Sequence, residues 1–503
     1  MTVHQAPVRR PLAQSSARRD AAHFINGEFT QGTSGKSYDN FCPVDGSRIG
    51  SVPEGGKAEI DAAVKAARAA LEGPWGQMSL NERSVLLGKV AAEINRRFDE
   101  FLEAECLDTG KPMSLASHID IPRGAANFTM FTDVAKTVST ECFTTPTPDG
   151  TGALNYGLRR PRGVIGVVSP WNLPLLLMTW KVGPALALGN TVVVKPSEQT
   201  PLTTTLLGEV MNTCGVPPGV YNVVHGFGAN SAGEALTQHP GINGITFTGS
   251  TRSGEMLMRE AARGVRPVSL ELGGKNPGII FADADMDKAI EGTMRSVFAN
   301  CGQVCLGTER VYVERPIFNE FVARLKAGAE ALRLGRPEDP TTGIGPLVSQ
   351  LHRKKVLSYY AKAVEEGATV VTGGGIPDMP ADLAEGAWIQ PTIWTGLPDD
   401  AAVVNEEIFG PCCHIRPFDT EEEAIRLANS TPYGLAAAVW TENVSRAHRV
   451  ASKMEVGICW VNSWFLRDLR TPFGGAKASG IGREGGVHSL EFYTEITNVC
   501  IKL

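Results

Sequence analysis

The sequence lacks the features of membrane-spanning, secreted and nucleic-acid-binding proteins. No segment approaches the about 18 uninterrupted apolar residues of a membrane span, and the richest, 163–188, contains Pro170, Asn172 and Lys181. No long basic run is present, and the net charge of -6 is spread along the chain, which argues against a nucleic-acid partner. Ten cysteines scattered over 503 residues predict reduced thiols and a cytoplasmic location.

Two familiar ligand signatures are also missing. Cys301 and Cys305 are close in sequence, but no second Cys or His pair stands at zinc-ligand spacing, so no metal site is predicted. The glycine-rich dinucleotide fingerprint is incomplete, because Gly226-Phe-Gly228 lacks its third glycine. A strand running through 247–250 into a helix start remains, where backbone N–H groups could bind a pyrophosphate.

Strand-like and helix-like segments alternate in the sequence. The runs 163–168, 191–195, 221–224 and 244–248 are separated by segments of helix length, typical of a parallel sheet wound with helices. The alternation restarts at 277–281, which predicts a second α/β domain. Two further stretches, 139–158 and 492–503, have alternating β-type residues without helices. Such strands would be sheet edges unless they are paired, for example with another subunit.

The segment 298–310 places Cys305 just after a glycine-containing turn. A thiolate can add to an aldehyde carbon, and the resulting thiohemiacetal can give up hydride and leave a thioester for water to cleave. Taken alone, a cysteine is more often a packed core residue, which is our interpretation of Cys301 and of Cys412-Cys413. We expect Cys305 to be activated by a local positive field, and through water by Glu271.

Such chemistry also needs a base and an oxyanion donor. Glu271 ends a strand just before a glycine pair, where it would be a salt-bridged surface residue or, at a domain junction, a base that activates water. Asn172 stands in a proline-framed turn between a strand and a helix. It is either a helix cap or an amide donor to an oxyanion, together with the backbone N–H of Cys305.

A buried strand delivers Lys195 and Glu198 at its carboxyl end, the edge at which ligands of open α/β sheets bind. These side chains suit the hydroxyls of an adenosine ribose, and a carboxylate at Glu198 would repel a 2′-phosphate. The pattern therefore favours NAD over NADP. As bare residues, the two could instead form a surface ion pair of little energetic value.

Together these segments, in this order and spacing, resemble the aldehyde dehydrogenase superfamily from about Phe24 to the C-terminus. The motifs at 406–411 and 472–475 add to the resemblance. It implies that Cys305 is the nucleophile, Glu271 the general base and Asn172 the oxyanion donor, with NAD as cofactor. The cofactor contacts implied are Pro170, Trp171, Lys195, Ser197, Glu198, Gly228, Phe247, Gly249, Ser250, Leu272, Glu407 and Phe409.

The resemblance also implies a fold. It is an α/β fold with a Rossmann-like cofactor domain, an α/β catalytic domain and a small β oligomerisation segment, assembled into a homodimer or homotetramer. The expected division is a disordered N-terminal tail over 1–20, an NAD-binding domain over 21–138 and 159–271, a catalytic domain over 272–475, and an oligomerisation segment over 139–158 and 476–503.

Within the family, 300–314 and 461–473 resemble the branch that oxidises muconic semialdehydes, the 2-hydroxy compound more closely than the 2-amino compound. Arg123 and Arg467 suit a carboxylate distal to the aldehyde, although each could instead form a solvated or interdomain ion pair. Trp180 and Phe473 would be the apolar walls of this substrate site, or plain core. A generic aldehyde dehydrogenase, a thiol esterase and a non-catalytic structural homologue remain as alternatives.

Overall fold

A computed structural model describes residues 20–503. The predicted tail over 1–20 therefore lies outside the described residues, apart from Asp20. The described chain builds one eight-stranded sheet, one seven-stranded sheet and a separate three-stranded sheet.

The first sheet has parallel central strands and antiparallel strands at both edges. In Thr191–Lys195, Val192 and Val194 enter one hydrophobic core and Val193 enters another, because successive strand residues point to opposite faces. Burial on both faces is what a parallel sheet covered by helices requires. In spatial order the strands are Glu28–Thr30, His23–Ile25, Tyr221–Val223, Thr191–Lys195, Val164–Val168, Gly244–Thr248, Val268–Glu271 and Gly480–Ile481.

The strand order reverses beside Val164–Val168. The chain passes from this strand to Thr191–Lys195 on one side and later returns to pair Gly244–Thr248 on the other. The loops that leave the carboxyl ends of these strands therefore separate and leave a crevice, the usual ligand site of an open α/β sheet.

Helices pack on both faces of the first sheet. Pro174–Ala187, which follows the central strand, is buried along its whole length and packs against Asp120–Thr137. The helices of this part of the chain are Lys57–Glu72, Pro74–Gln77, Leu80–Arg96, Phe98–Thr109, Met113–His118, Asp120–Thr137, Pro174–Ala187, Leu202–Cys214, Ala232–Gln238 and Thr251–Ala262.

The second sheet is parallel except for one antiparallel edge strand. Its strands in spatial order are Thr369–Thr372, Thr392–Thr395, Cys412–Phe418, Thr308–Glu314, Asn276–Ile280, Ala436–Trp440 and Ile458–Val461. The helices that follow residue 280 are Met286–Phe298, Phe318–Glu330, Gln350–Glu365, Ala402–Asn405, Glu421–Ala428, Val444–Ala451 and His488–Tyr493.

The three-stranded sheet joins the two stretches that had no predicted helices. Ala153–Pro161 pairs antiparallel with Cys142–Thr145 on one side and with Thr494–Lys502 on the other. The remaining strands form two antiparallel pairs, Ser37–Phe41 with Arg48–Pro53 and Tyr433–Gly434 with Ala476–Lys477. Over residues 20–503, no helix combines the length and apolarity needed to cross a membrane.

The alternation of apolar runs predicted the central strands to within a residue. Val90, Ile94, Phe98 and Phe101 have the spacing of one helix, but they lie on two helices divided at Arg97, whose φ of -93° and ψ of 24° are not helical. The apolar stripe continues across the break because both helices face the same core.

Candidate active site

Cys305 lies in the loop between Met286–Phe298 and Thr308–Glu314. The turn before it is left-handed, with φ values of 51°, 56° and 70° at Asn300, Cys301 and Gly302. A Cβ at Gly302 would lie 2.0 Å from the carbonyl oxygen of Gly410, so glycine is required there. The turn before Cys305 thus packs closely against Gly410, in the segment that also carries Glu407 and Phe409.

The Asn172 side chain points into the same loop. Its Nδ2 donates to the backbone carbonyl of Gln303 at 2.9 Å, and the backbone carbonyl of Asn172 accepts from Asn300 Nδ2 at 3.0 Å. An amide nitrogen carries two N–H groups, and over residues 20–503 this is the single bond recorded for Nδ2. The second N–H is suited to an oxyanion beside Cys305.

A cluster of buried charged side chains that was not predicted from the sequence contacts Asn172. Lys111 Nζ donates to the Asn172 carbonyl at 2.9 Å and pairs with Glu105 and Asp120 at 3.3 and 3.2 Å, with all three side chains fully buried. The available signal was Glu105 and Asp120 among the apolar residues of two helices, since buried charges must be paired.

Glu271 ends its strand with a buried side chain, 4% exposed. Gly474, at φ 150°, packs against it so closely that a Cβ would lie 2.7 Å from Glu271 Oε1. Burial, together with the charge of Glu484, raises the pKa of Glu271 well above its ordinary value. A carboxylate in this state is a stronger base than one in water.

Lys181 and Glu484 form the second charged group that the sequence did not reveal. Their side chains are buried and 2.7 Å apart, and Glu484 also accepts from the hydroxyls of Thr246 and Ser269 at 3.4 and 3.3 Å. A lysine inside the wholly buried helix Pro174–Ala187 was the sequence signal, because such a charge needs a partner.

The expected activation of Cys305 by a local positive field is wrong for the free protein. Burial raises the pKa of Cys305 to about 12, and the charges of Glu271 and Glu407 act in the same direction. Arg467 opposes them but does not outweigh desolvation. The free protein therefore holds a thiol, and its reaction with a carbonyl requires a group that removes the proton.

Arg123 and Arg467 both lie near the Trp180 ring, although they are 344 positions apart in the chain. Their guanidinium carbons lie 6.0 and 5.2 Å from the Trp180 ring, and Arg467 lies 4.1 Å from the Phe473 ring. Burial and the charge of Arg123 together lower the pKa of Arg467 to about 10. The two arginines, the tryptophan and the phenylalanine thus form one cluster, and both aromatic side chains also belong to the hydrophobic core.

Neither arginine forms a direct ion pair within the described part of the chain, although the charge of Asp120 acts on Arg123. Both side chains are half-buried, and Arg123 Nε and Arg467 Nη2 are buried without a hydrogen-bond partner. The loop that carries Arg467 is tied to the nucleophile loop, since Trp464 Nε1 donates to the carbonyl of Leu306 at 2.9 Å. Two partly desolvated guanidinium groups thus lie at the Trp180 ring, and the charge of Arg467 acts on Cys305.

The crevice at the reversal of strand order is a cleft of about 650 Å³. Lys195 is buried with its Nζ 3.2 Å from Glu198 Oε2, whereas the Glu198 side chain is 30% exposed and open to the cleft. Ser250 caps the helix Thr251–Ala262. The predicted cofactor residues that line the cleft are Pro170, Trp171, Lys195, Ser197, Glu198, Gly228, Phe247, Gly249 and Ser250.

The other three predicted cofactor residues lie outside the cleft lining. Leu272 packs in a hydrophobic core against Gly254, where a Cβ would lie 2.4 Å away. Glu407 accepts from the backbone N–H of Gly274 at 2.8 Å. The Phe409 ring lies 5.3 Å from Trp171, which does line the cleft, so Phe409 extends the cleft toward the nucleophile loop.

Comparison with known proteins agrees with this geometry. The model of the aldehyde dehydrogenase family matches residues 29–499. The chain belongs to the aldehyde dehydrogenase family. The resemblance and the fold predicted from the sequence are thereby confirmed.

Several relatives within this family match nearly the whole chain. The 2-hydroxymuconic semialdehyde dehydrogenase of Pseudomonas sp. strain CF600 is 73% identical, covering 96% of this chain and 100% of that protein. The 2-aminomuconic semialdehyde dehydrogenase of Homo sapiens is 44% identical, covering 98% and 100%. The NAD+ complex of the Bacillus cereus aldehyde dehydrogenase superposes with a TM-score of 0.92 at 40% identity, covering 96% and 97%.

Proposed function

We propose that this aldehyde dehydrogenase oxidises 2-hydroxymuconic semialdehyde to the corresponding dicarboxylate with NAD. The observation that carries the proposal is the pair of half-buried guanidinium groups of Arg123 and Arg467 at the Trp180 ring, each with a buried nitrogen that lacks a hydrogen-bond partner. Two desolvated cations suit a substrate that bears a carboxylate at the end opposite its aldehyde. The 73% identical relative that carries this substrate's name supports the same assignment.

In the acylation half of the reaction, Cys305 is the nucleophile. Its Sγ bonds to the aldehyde carbon, its proton leaves toward Glu271 through water, and the carbonyl oxygen becomes an oxyanion held by Asn172 Nδ2 and the backbone N–H of Cys305. The carbon then loses its hydrogen with the electron pair and is oxidised to a thioester. Bound NAD supplies the acceptor for this hydride.

In the second half, Glu271 is the general base. Once the proton from Cys305 has passed to solvent, Glu271 takes a proton from water, and the hydroxide bonds to the thioester carbon. The carbon–sulfur bond then breaks to release the dicarboxylate, and the Cys305 thiolate takes the proton from Glu271. The buried Glu271, with its raised pKa, has the basicity for this step. Hydrolysis distinguishes this reaction from coenzyme A acylation, in which the thioester must survive water.

The residues around the cleft fit NAD. Glu198, open to the cleft beside Lys195, would bind the adenosine ribose, and a 2′-phosphate would meet its negative charge. The start of Thr251–Ala262, with Ser250, would bind the pyrophosphate, and Glu407 and Phe409 would lie at the nicotinamide end. The cleft also favours a dehydrogenase over a thiol esterase, because an esterase needs no cofactor site.

We further propose the domain roles expected from the sequence. The unit around the first sheet binds NAD, the unit around the second sheet carries Cys305, and the three-stranded sheet joins subunits of a homodimer or homotetramer. The exposure of Phe143 and Ile496 on this sheet, 61% and 59%, supports a partner surface.

The test is the ratio of kcat/KM for 2-hydroxymuconic semialdehyde, made by extradiol cleavage of catechol, to kcat/KM for a neutral aldehyde such as hexanal. NADH formation is followed by absorbance. A strong preference for the semialdehyde is expected, and equal use of both substrates would refute the assignment. The 2-amino compound carries the same distal carboxylate, so its relative kcat/KM decides between the two muconic substrates.

A further inference from the structure

Phe409 has an unusual backbone for a residue with a side chain. Its φ of 64° lies in the left-handed region, which is unfavourable for residues with a Cβ and persists where the surroundings fix it. Both of its backbone polar groups are held by side chains from elsewhere in the chain. Its N–H donates to Glu309 Oε1 at 2.8 Å, and its carbonyl accepts from His352 Nε2 at 2.8 Å.

The Glu309 side of this arrangement is anchored in the core. Glu309 is buried, 8% exposed, and forms an ion pair with the buried Lys275. Its other oxygen accepts from the backbone N–H of Ile408 at 3.1 Å. One carboxylate therefore fixes two consecutive peptide groups of the segment that carries Glu407 and Phe409.

The His352 side brings an aromatic ring as well as a donor. Because a carbonyl oxygen accepts only, Nε2 carries the ring proton, and burial keeps the imidazole neutral by lowering its pKa to about 4. The ring lies edge-on to Trp171 and Phe409, with centroids 5.1 and 6.2 Å away. Trp171, His352 and Phe409 thus form one aromatic cluster, and Trp171 lines the cofactor cleft.

We propose that His352 and Glu309 are positioning residues that hold the Phe409 ring in place for hydride transfer. The role rests on the proposed function, because it assigns the aromatic cluster to the nicotinamide end of the cleft. Neither side chain needs to touch the cofactor. Each acts through the Phe409 backbone, so its loss lets the ring leave its position and makes hydride transfer slower.

The test compares His352→Leu, His352→Gln and wild type. The semialdehyde made from ring-deuterated catechol carries deuterium on its aldehyde carbon, so the isotope effect on kcat reports hydride transfer. His352→Leu is expected to lower kcat by roughly tenfold, equivalent to about 1.4 kcal/mol, and to raise the isotope effect. His352→Gln, whose amide N–H can donate to the Phe409 carbonyl, is expected to recover most of the rate.

Two measurements separate positioning from folding. NAD affinity without aldehyde, by calorimetry, is expected to change less than kcat in His352→Leu. The control is His414→Gln, because His414 is another buried histidine bonded to the backbone, at Leu397 N, away from the cleft lining. It is expected to change Tm and leave the isotope effect at the wild-type value.

A wild-type isotope effect and kcat in folded His352→Leu, alongside a lowered Tm, would overturn the proposal. If His352→Leu does not fold, His352→Phe keeps an aromatic ring, removes the donor and gives the same test. A wild-type protein that forms no NADH from the semialdehyde would refute the proposed function. Wild-type activity with unaltered isotope effects in the variants would refute the positioning role alone.

Discussion

Replacing Arg467 with methionine should weaken substrate binding and stabilise the free protein at the same time. The Arg467 side chain is half-buried, and its Nη2 has no hydrogen-bond partner among the described residues. Burial and the charge of Arg123 together lower the pKa of Arg467 to about 10. The free protein therefore bears the cost of a desolvated cation. A methionine can keep the packing against Trp180 and Phe473 and removes that cost, so Arg467→Met is expected to raise stability by about 1–2 kcal/mol.

The loss of binding follows from the hydrogen bonds that a carboxylate would form. A bond to a charged group is worth about 1.5–3 kcal/mol, so two bonds from one guanidinium contribute about 3–6 kcal/mol. At about 1.4 kcal/mol per tenfold, KM for the semialdehyde should rise roughly 100- to 10,000-fold. Because the distal carboxylate is bound equally in the ground and transition states, kcat should change much less.

The assay pairs steady-state NADH formation with thermal unfolding. Arg470→Met is the matched control, since Arg470 lies in the same loop but is exposed and paired with Asp468 at 2.6 Å. It is expected to leave KM and Tm close to wild type. A lowered Tm with unchanged KM in Arg467→Met would show that Arg467 is a structural residue and would refute the carboxylate site.

Four further outcomes are expected. Because burial raises the pKa of Cys305 to about 12, the rate of its alkylation by iodoacetamide in the free protein should rise steadily from neutral pH to about pH 10, without a plateau. Glu271→Gln should give a slower burst of one NADH per subunit, because the acceptor of the Cys305 proton is lost, and then a steady rate at least roughly 100-fold below wild type. Because the charge of Glu484 raises the pKa of Glu271, Glu484→Gln should lower it and move the acid limb of the pH profile for thioester hydrolysis to lower pH. Gly474→Ala, whose Cβ would lie 2.7 Å from Glu271 Oε1, should slow hydrolysis more than the NADH burst.

The sequence predicted what lies in contiguous segments. The strands Thr191–Lys195 and Gly244–Thr248 are apolar runs with their own boundaries, and Glu271, Asn172 and Cys305 follow or precede turns that mark their position. Local pattern is sufficient there because one strand and one turn orient each side chain.

The sequence could not predict pairings between distant residues. Lys181 and Glu484 are 303 positions apart, and either residue alone has many possible partners. The raised pKa of Cys305 was missed for a related reason. It depends on burial by the surrounding chain and on the charges of Glu271 and Glu407, and the sequence shows neither the desolvation nor its magnitude.

Arg467 affects two different steps, and a neutral aldehyde separates them. Its charge opposes the rise in the pKa of Cys305, so Arg467→Met should raise that pKa further and slow alkylation at a given pH. Hexanal has no carboxylate, so any fall in its turnover in this variant reports the effect on the thiol alone. That fall should be far smaller than the loss in kcat/KM for the semialdehyde. An unchanged hexanal reaction in Arg467→Met would mean that the charge of Arg467 has no effect on Cys305, and that the arginine serves the distal carboxylate only.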